Sequence, residues 1–198
     1  TSATTNAVGN MWVLWNAEYS SDFKTMFHMN LYGGSSPPAD GFCIQWNTAN
    51  VDTGVIGGGC GIITTSKYGI RFKTYINNVI ELVSEGNVLQ SYPAAMTFYG
   101  DFYYWIDYNY SQKKLSVYVK NTNVKPESPS YIFSGVDFPQ STNYYVGFGA
   151  ATGGSTCNHA LKSFSMEIVS YKFYYVIPPS QPSYISVVGE NDSGEISE

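Results

Sequence analysis

Two cations, Arg71 and Lys73, occupy alternate positions in the segment Tyr68-Gly69-Ile70-Arg71-Phe72-Lys73-Thr74-Tyr75-Ile76-Asn77. The period of two predicts a strand in which Ile70, Phe72, Thr74 and Ile76 point one way and Arg71, Lys73, Tyr75 and Asn77 the other. Four polar-tipped side chains then share one surface. Guanidinium and ammonium groups have no lone pair to give, so they cannot ligate a metal ion. Carboxylates that could work in pairs are Glu81 with Glu85 and Asp101 with Asp107. Hydrolysis of a glycosidic bond needs two such groups facing across a cleft at roughly 5–10 Å, and neither spacing indicates that. His28 lies in a strand pattern, and Cys157 with His159 forms no spaced nucleophile–base grouping. The reading is therefore that the chain is not an enzyme.

The elements that must position these residues are strands. The 198 residues are 43% hydrophobic, 17% aromatic with 18 Tyr, and only 13% charged, a β-rich composition large enough for one sizeable core. Inward faces are predicted at Phe23, Thr25, Phe27, Met29 and Leu31, at Leu115, Val117 and Val119, and at Phe164, Met166 and Ile168. Phe102–Tyr110 turns through Ser111-Gln112-Lys113-Lys114 into Leu115–Val119, a hairpin with aromatics on both faces. Gly33–Pro38, Asn121–Pro129 and Gly153-Gly154-Ser155 are loop punctuation, and helical periodicity is absent. Short alternating strands at this spacing predict an all-β, antiparallel sandwich. Residues 1–9 are assigned to an N-terminal extension, 10–177 to the domain, and 178–198 to a Pro-rich linker and acidic tail.

The formal charge is −5, but Glu190, Asp192, Glu195 and Glu198 fall in the tail, leaving 11 acidic against 10 basic residues elsewhere. A nearly neutral body without a basic stripe argues against nucleic acid as a partner. No apolar run approaches the ~18–20 residues of a membrane span, and Thr1–Asn6 lacks the features of a signal peptide. The expectation is a soluble fragment that does not insert into a membrane, compatible with a processed secreted product or an excised ectodomain. Cys43, Cys60 and Cys157 show no CxxC spacing. They leave open a Cys43–Cys60 pair, a Cys60–Cys157 pair, or three small buried thiols. Asn109-Tyr110-Ser111 and Asn191-Asp192-Ser193 match the N-glycosylation pattern.

Four segments in order resemble the legume-type (L-type) lectins of the concanavalin A-like superfamily. Ala39-Asp40-Gly41-Phe42 resembles the family's Ala-Asp-Gly before a hydrophobic strand, and Gly57-Gly58-Gly59-Cys60-Gly61-Ile62 its Gly-Gly-x-Leu-Gly-Leu. Ile70–Asn77 resembles Val-Glu-Phe-Asp-Thr-Tyr-x-Asn. Tyr145–Gly153, with His159 and Leu161–Ser165, resembles Val-Gly-Phe-Ser-Ala-Ala-Thr-Gly and a terminal Ser-Trp-Ser-Phe strand. The resemblance spans about residues 12 to 168. The family's first strands are not matched before residue 12, and Tyr171–Ile177 is a candidate replacement strand.

The resemblance implies a jelly-roll sandwich with a monosaccharide-sized pocket in loops at one end. Carried across, Asp40 accepts sugar hydroxyls, a Gly58 N–H donates, and Asn77 contributes its amide. Gly154, Ser155 and Thr156 stand at the variable specificity position, and Tyr75 or Trp46 stacks on the sugar. A fixed acceptor, a fixed donor and an apolar face are what paired vicinal hydroxyls require. The metal pattern departs from the family, because Arg71 and Lys73 stand at its glutamate and aspartate, and only Glu81 follows Asn77. A lost calcium or manganese site, with no cofactor, is the expectation. The two cations would then either hold Asp40 by an ion pair or be solvated edge residues.

These readings imply a metal-independent carbohydrate-binding domain of a secreted, cell-surface or virion-surface protein. Glycans or glycoproteins would be its partners, with adhesion as its use. The alternative is a structural sandwich in a homo-oligomer or larger surface assembly, using the surface around Tyr103 and Trp105.

Overall fold

The computed structural model describes residues 4–15, 21–49, 54–139, 144–168, 171–176, 188–191 and 196–197. Among these, the regular elements are fourteen strands and one 3-10 turn, Gly57–Gly59. The strands form two antiparallel sheets, the all-β sandwich class predicted above. The chain divides into two compact units, one carrying each sheet.

The first unit carries a six-stranded sheet ordered β1-β10-β3-β4-β5-β6. Its strands are β1 (Val8–Trp15), β3 (Gly41–Asn47), β4 (Tyr68–Lys73), β5 (Val79–Ser84), β6 (Asn87–Pro93) and β10 (Tyr144–Ala151). Strand β1 begins at Val8, inside the stretch assigned to an extension. On one face Phe42 stacks on Phe72 at 4.7 Å, and Phe98 meets Phe72 edge-on at 5.3 Å. Trp46 and Tyr68 both pack edge-on against Phe138.

Every residue of β3 is buried, which alternation alone would not produce. The reason is the segment from Gly54 to Ser66, which folds back across the opposite face. Gln45 organises this covering: its Oε1 accepts from Ile63 N–H (2.8 Å) and Ser66 Oγ (2.7 Å), and its Nε2 donates to the Gly61 carbonyl (3.3 Å). Cys43, Ile62 and Val83 form an apolar cluster beneath it. The fit is close enough to need glycine on β10, because a Cβ at Gly149 would lie 2.4 Å from the Gly61 carbonyl oxygen. We expect Gly149→Ala to cost about 1–3 kcal/mol, the range for overpacking, and to raise proteolytic cleavage within residues 54–62. Chemical denaturation with limited proteolysis checks this.

The second unit carries the eight-stranded sheet β14-β13-β12-β11-β2-β7-β8-β9. Here β2 is Phe23–Tyr32, β7 Gly100–Asn109, β8 Lys114–Lys120, β9 Tyr131–Ser134 and β11 Asn158–Ile168. Phe23, Thr25, Phe27, Met29 and Leu31 are buried, as are Leu115, Val117 and Val119, and Phe164, Met166 and Ile168. Phe27 stacks on Tyr104 at 4.9 Å, and Tyr108 donates its hydroxyl to the Val136 carbonyl (2.9 Å). The β7–β8 hairpin forms as predicted. Asn109 Oδ1 accepts from Ser111 Oγ and Gln112 N–H across its turn, so the side chain of one glycosylation pattern already holds the hairpin.

Strand β12 (Tyr171–Val176) pairs antiparallel with β11, so the extra segment after the last family motif is a sheet member. Strands β13 (Val188–Asn191) and β14 (Ile196–Ser197) lie within the stretch read as linker and tail. Residues 177–187 and 192–195 lie outside the described residues, including most of that linker and Asp192-Ser193 of the other glycosylation pattern.

Candidate functional site

Asp40 is the fixed point of the site. Its N–H donates to the Ala151 carbonyl at the end of β10 (2.9 Å), and its own carbonyl accepts from Thr74 N–H just beyond β4 (3.0 Å). Thr74 Oγ1 adds a bond to the Pro38 carbonyl (3.3 Å). The Ala39–Asp40 peptide is cis. The residue is 8% exposed, and its Oδ2 is shut off from solvent without a hydrogen bond of ordinary geometry. Burial raises its pKa above the usual 3.8, with the Gly153 amide and the Lys73 charge partly offsetting the rise.

The glycine loops close on this carboxylate. A Cβ at Gly153 would sit 2.9 Å from Asp40 Oδ2, and one at Gly57 would sit 3.9 Å away. Gly57 N–H donates to the Thr152 carbonyl (3.2 Å), so the 3-10 turn Gly57–Gly59 is tied to the loop after β10. That loop is held in turn by the N-terminal segment, through Asn6 N–H to the Gly153 carbonyl (3.0 Å) and Ala7 N–H to Thr152 Oγ1 (2.9 Å). Cys60, buried beneath the turn, donates its thiol towards the carbonyls of Asp40 (3.6 Å) and Gly58 (3.7 Å). Gly58 and Gly154 are exposed, and a Cβ on either would meet nothing within 4 Å. The Gly58 amide sits in the first turn of a helix, where N–H groups lack internal acceptors, and makes no hydrogen bond among the described residues.

Strand β4 ends at Lys73, earlier than the alternation suggested, because Thr74 N–H is claimed by Asp40. Tyr75, Ile76 and Asn77 form a turn closed by Asn77 N–H to the Tyr75 carbonyl (2.7 Å). Ile76, expected to point inward, is instead 70% exposed with φ of +59°. Tyr75 and Asn77 are exposed on this turn rather than aligned on the strand face. Ser155 is half-buried in the loop carrying Gly154. Thr156 clasps Ser35 by reciprocal bonds, Ser35 N–H to the Thr156 carbonyl (3.1 Å) and Thr156 N–H to Ser35 Oγ (2.7 Å). Trp46 is fully buried at 0% exposure and cannot stack on a ligand.

The two cations do not pair with Asp40. Arg71 sits opposite Glu81 in the β4–β5 register, and its Nη2 lies 2.7 Å from Glu81 Oε2. Lys73 Nζ approaches Glu81 Oε1 at 3.9 Å and reaches Asp40 only through its field. The Arg71–Glu81 contact is an ion pair by distance but lacks hydrogen-bond geometry, since both Arg71 Nε and Glu81 Oε2 remain without such bonds. Glu81 as their shared counter-ion was missed in the sequence. A symmetric hairpin centred on residue 76 places 71 opposite 81, which was the available signal.

Other candidate groupings are also engaged in ion pairs. Glu85 pairs with Lys67, Asp107 with Lys125, and Asp101 with His28, whose ring stacks on Tyr103 at 4.1 Å. Tyr103 stacks in turn near Trp105 at 6.3 Å, and both are half-buried. All three cysteines are free and buried, which excludes both pairings considered above. Burial pushes the Cys60 thiol up to about 12 and Cys157 to about 11, so neither is a ready nucleophile. His159 is buried, and burial lowers its pKa to about 3. No group of three or more His, Cys, Asp or Glu positioned to hold a metal ion occurs among the described residues. No helix among them is long and apolar enough to cross a membrane.

In the strand framework, the segments at Thr74, Gly57–Gly59 and Gly153 gather at Asp40. Residues 76–172 match the legume lectin domain model. The VIP36 exoplasmic/lumenal domain, solved with Ca2+ and Man3GlcNAc, superposes with a TM-score of 0.67 at 18% identity, over 84% of this chain and 77% of that one. Its metal-free form gives 0.66 at 18% identity over the same shares. Basic winged bean lectin with Tn-antigen gives 0.59 at 22% identity, over 84% of this chain and 82% of that one. No curated protein matches the chain by sequence. The chain has the L-type lectin, concanavalin A-like fold, as its ordered motifs implied.

Proposed function

We propose that this chain is a non-catalytic carbohydrate-binding domain whose site is centred on Asp40. The observation that carries the reading is the carboxylate itself: its backbone is clamped from two sides, glycine loops enclose it, and its Oδ2 has no hydrogen bond of ordinary geometry, the Gly153 amide lying nearest. A sugar hydroxyl would donate to the other oxygen, Oδ1, which is not among the solvent-excluded atoms. The Gly58 N–H, the Asn77 amide and the Tyr75 ring complete the acceptor, donor and apolar set, with Gly154 and Ser155 bounding the ligand on the side of the β10–β11 loop. Asn77 follows Thr74 by three residues, and Thr74 is bonded to Asp40, which keeps its turn beside the site.

The donor set does not suit calcium, which takes six to eight oxygens. Glu81, the carboxylate nearest the strand, is already shared by two cations. The backbone clamps on Asp40 supply the ordering that an ion would otherwise give. The similar structures include an exoplasmic/lumenal domain and winged bean lectins, in keeping with a secreted or surface-displayed protein that attaches to glycans.

A glycan array, run with and without chelator, tests the proposal. Saturable binding to a defined set of glycans, unchanged by chelator, is expected. A blank array at millimolar-equivalent density would overturn the function, and chelator-sensitive binding would overturn the metal independence.

A further inference from the structure

The turn between β7 and β8 carries Asn109-Tyr110-Ser111, and the two ends of the Asn109 amide are used differently. Its Oδ1 accepts from Ser111 Oγ (3.0 Å) and Gln112 N–H (2.8 Å), whereas its Nδ2 makes no hydrogen bond among the described residues and is not shut off from solvent. The turn is fixed further by Tyr110 N–H, which donates to Asp22 Oδ1 (2.8 Å), and its tip at Ser111 and Gln112 is exposed. Asn109 also lines a pocket of about 250 Å3, together with Asp22, Lys24, Gln112, Lys114, Ser116 and Tyr118. The register sets Asn109 opposite Lys114 and Asp107 opposite Ser116, on the face of the hairpin turned away from buried Tyr108 and Leu115. Neither Lys24 nor Lys114 forms an ion pair among the described residues. The pocket therefore offers two ammonium groups, a hydroxyl, an amide and a carboxylate beside one aromatic ring, which are the groups that sugar hydroxyls and a sugar face require. It is smaller than the roughly 300–1,000 Å3 of sites for drug-sized ligands, which suits a single sugar.

We propose that Asn109 is an acceptor for N-linked glycosylation and that the adjoining pocket cradles the first sugar of the attached glycan. The donor is a sugar chain on a lipid diphosphate. The C1–N bond to Nδ2 forms, the C1–O bond to the diphosphate breaks, one Nδ2 proton leaves to base, and the lipid diphosphate departs. The amide carbonyl survives this step, so both turn bonds to Oδ1 are kept in the modified protein. A sequence pattern by itself says little, but here the free nitrogen and a polar pocket coincide. The inference rests on the secreted or surface-displayed reading and is independent of sugar binding at Asp40.

The test is secretion of the full chain from yeast behind a cleaved leader, so that the host supplies the glycosylating compartment, followed by peptide mass mapping. A glycan on the Asn109 peptide is expected, retained in Ser111→Thr and lost in both Ser111→Ala and Asn109→Gln. An unmodified Asn109 in the secreted protein overturns the inference and leaves the Asp40 site untouched, because the glycan array reads that site on unglycosylated protein. Enzymatic trimming to the single linked N-acetylglucosamine tests the cradle. The trimmed protein should melt about 2–4 °C above the same chain made without a glycan in bacteria, the shift that one net hydrogen bond gives in a chain of this size. Tyr118→Ala should erase that difference when both forms are compared in its background. Equal melting temperatures, or a difference that survives Tyr118→Ala, overturn the cradle.

Discussion

Asp40→Ala is expected to weaken sugar binding at least a hundredfold without lowering stability at neutral pH. The binding loss follows from removing hydrogen bonds to a charged acceptor, each contributing about 1.5–3 kcal/mol, from a position offering two. The unchanged stability follows from the environment of the carboxylate. Its folded pKa is raised above the usual 3.8 by burial, so the native state binds this proton more tightly than the unfolded chain does. Its stabilising contribution is therefore greatest below 3.8 and is lost as pH rises through the folded value. At neutral pH the ionised group is a net cost to the fold, so the alanine variant should melt no lower than the parent. The same shift predicts that sugar affinity falls as pH drops through the raised folded pKa, once the acceptor takes up a proton. Titration calorimetry at pH 7 and at successively lower pH, paired with thermal melts, reads all three quantities. A variant that binds as tightly as the parent would remove Asp40 from the site.

A loss of stability of about 1.4 kcal/mol per pH unit is expected as pH falls below 6.5, traced to His159. Burial depresses this group to about 3, so in the folded state it stays neutral while the unfolded chain takes up a proton. Stability from this source is complete above 6.5 and declines as pH drops towards about 3. Asp40 has the opposite sign, and His159 governs the upper part of the acid limb because its window opens first. Urea unfolding at pH 7, 6 and 5 measures the slope, and His159→Gln should flatten it. An equal slope in parent and variant would assign the acid sensitivity to other groups.

Much of the fold was legible because one-sided burial leaves a period-two trace. Strands β2, β8 and β11 bury the faces that alternation picked out. What alternation cannot express is a strand covered on both sides by a distant loop, and β3 is buried throughout for that reason. Trp46 was offered as a stacking ring, yet Phe42, Ile44 and Trp46 share one parity, which already placed it in the core. The alternation was also carried too far through Ile76, because a hydrogen bond from Thr74 to Asp40, 34 positions earlier in the chain, ends β4 at Lys73.

At the site, the ordered motifs brought Asp40 together with the Gly57–Gly59 turn and the Gly153 loop. Arg71 and Lys73 were recognised as unable to hold a metal, but their partner was not. Cross-strand pairing, rather than proximity along the chain, gives both to Glu81. The free cysteines were undecided in sequence because three thiols constrain no connectivity, and only the fold, which leaves all three unbridged, settles the matter.

The double covering of β3 has a consequence for how the domain breathes. Amide hydrogens on a strand shielded from both sides exchange only when the surrounding unit opens as a whole. Asp40 is attached directly to the first residue of that strand, so its backbone inherits the slowest local opening available to the unit. A sugar arriving at such a residue meets an acceptor already in position, and little ordering entropy is left to be lost on contact.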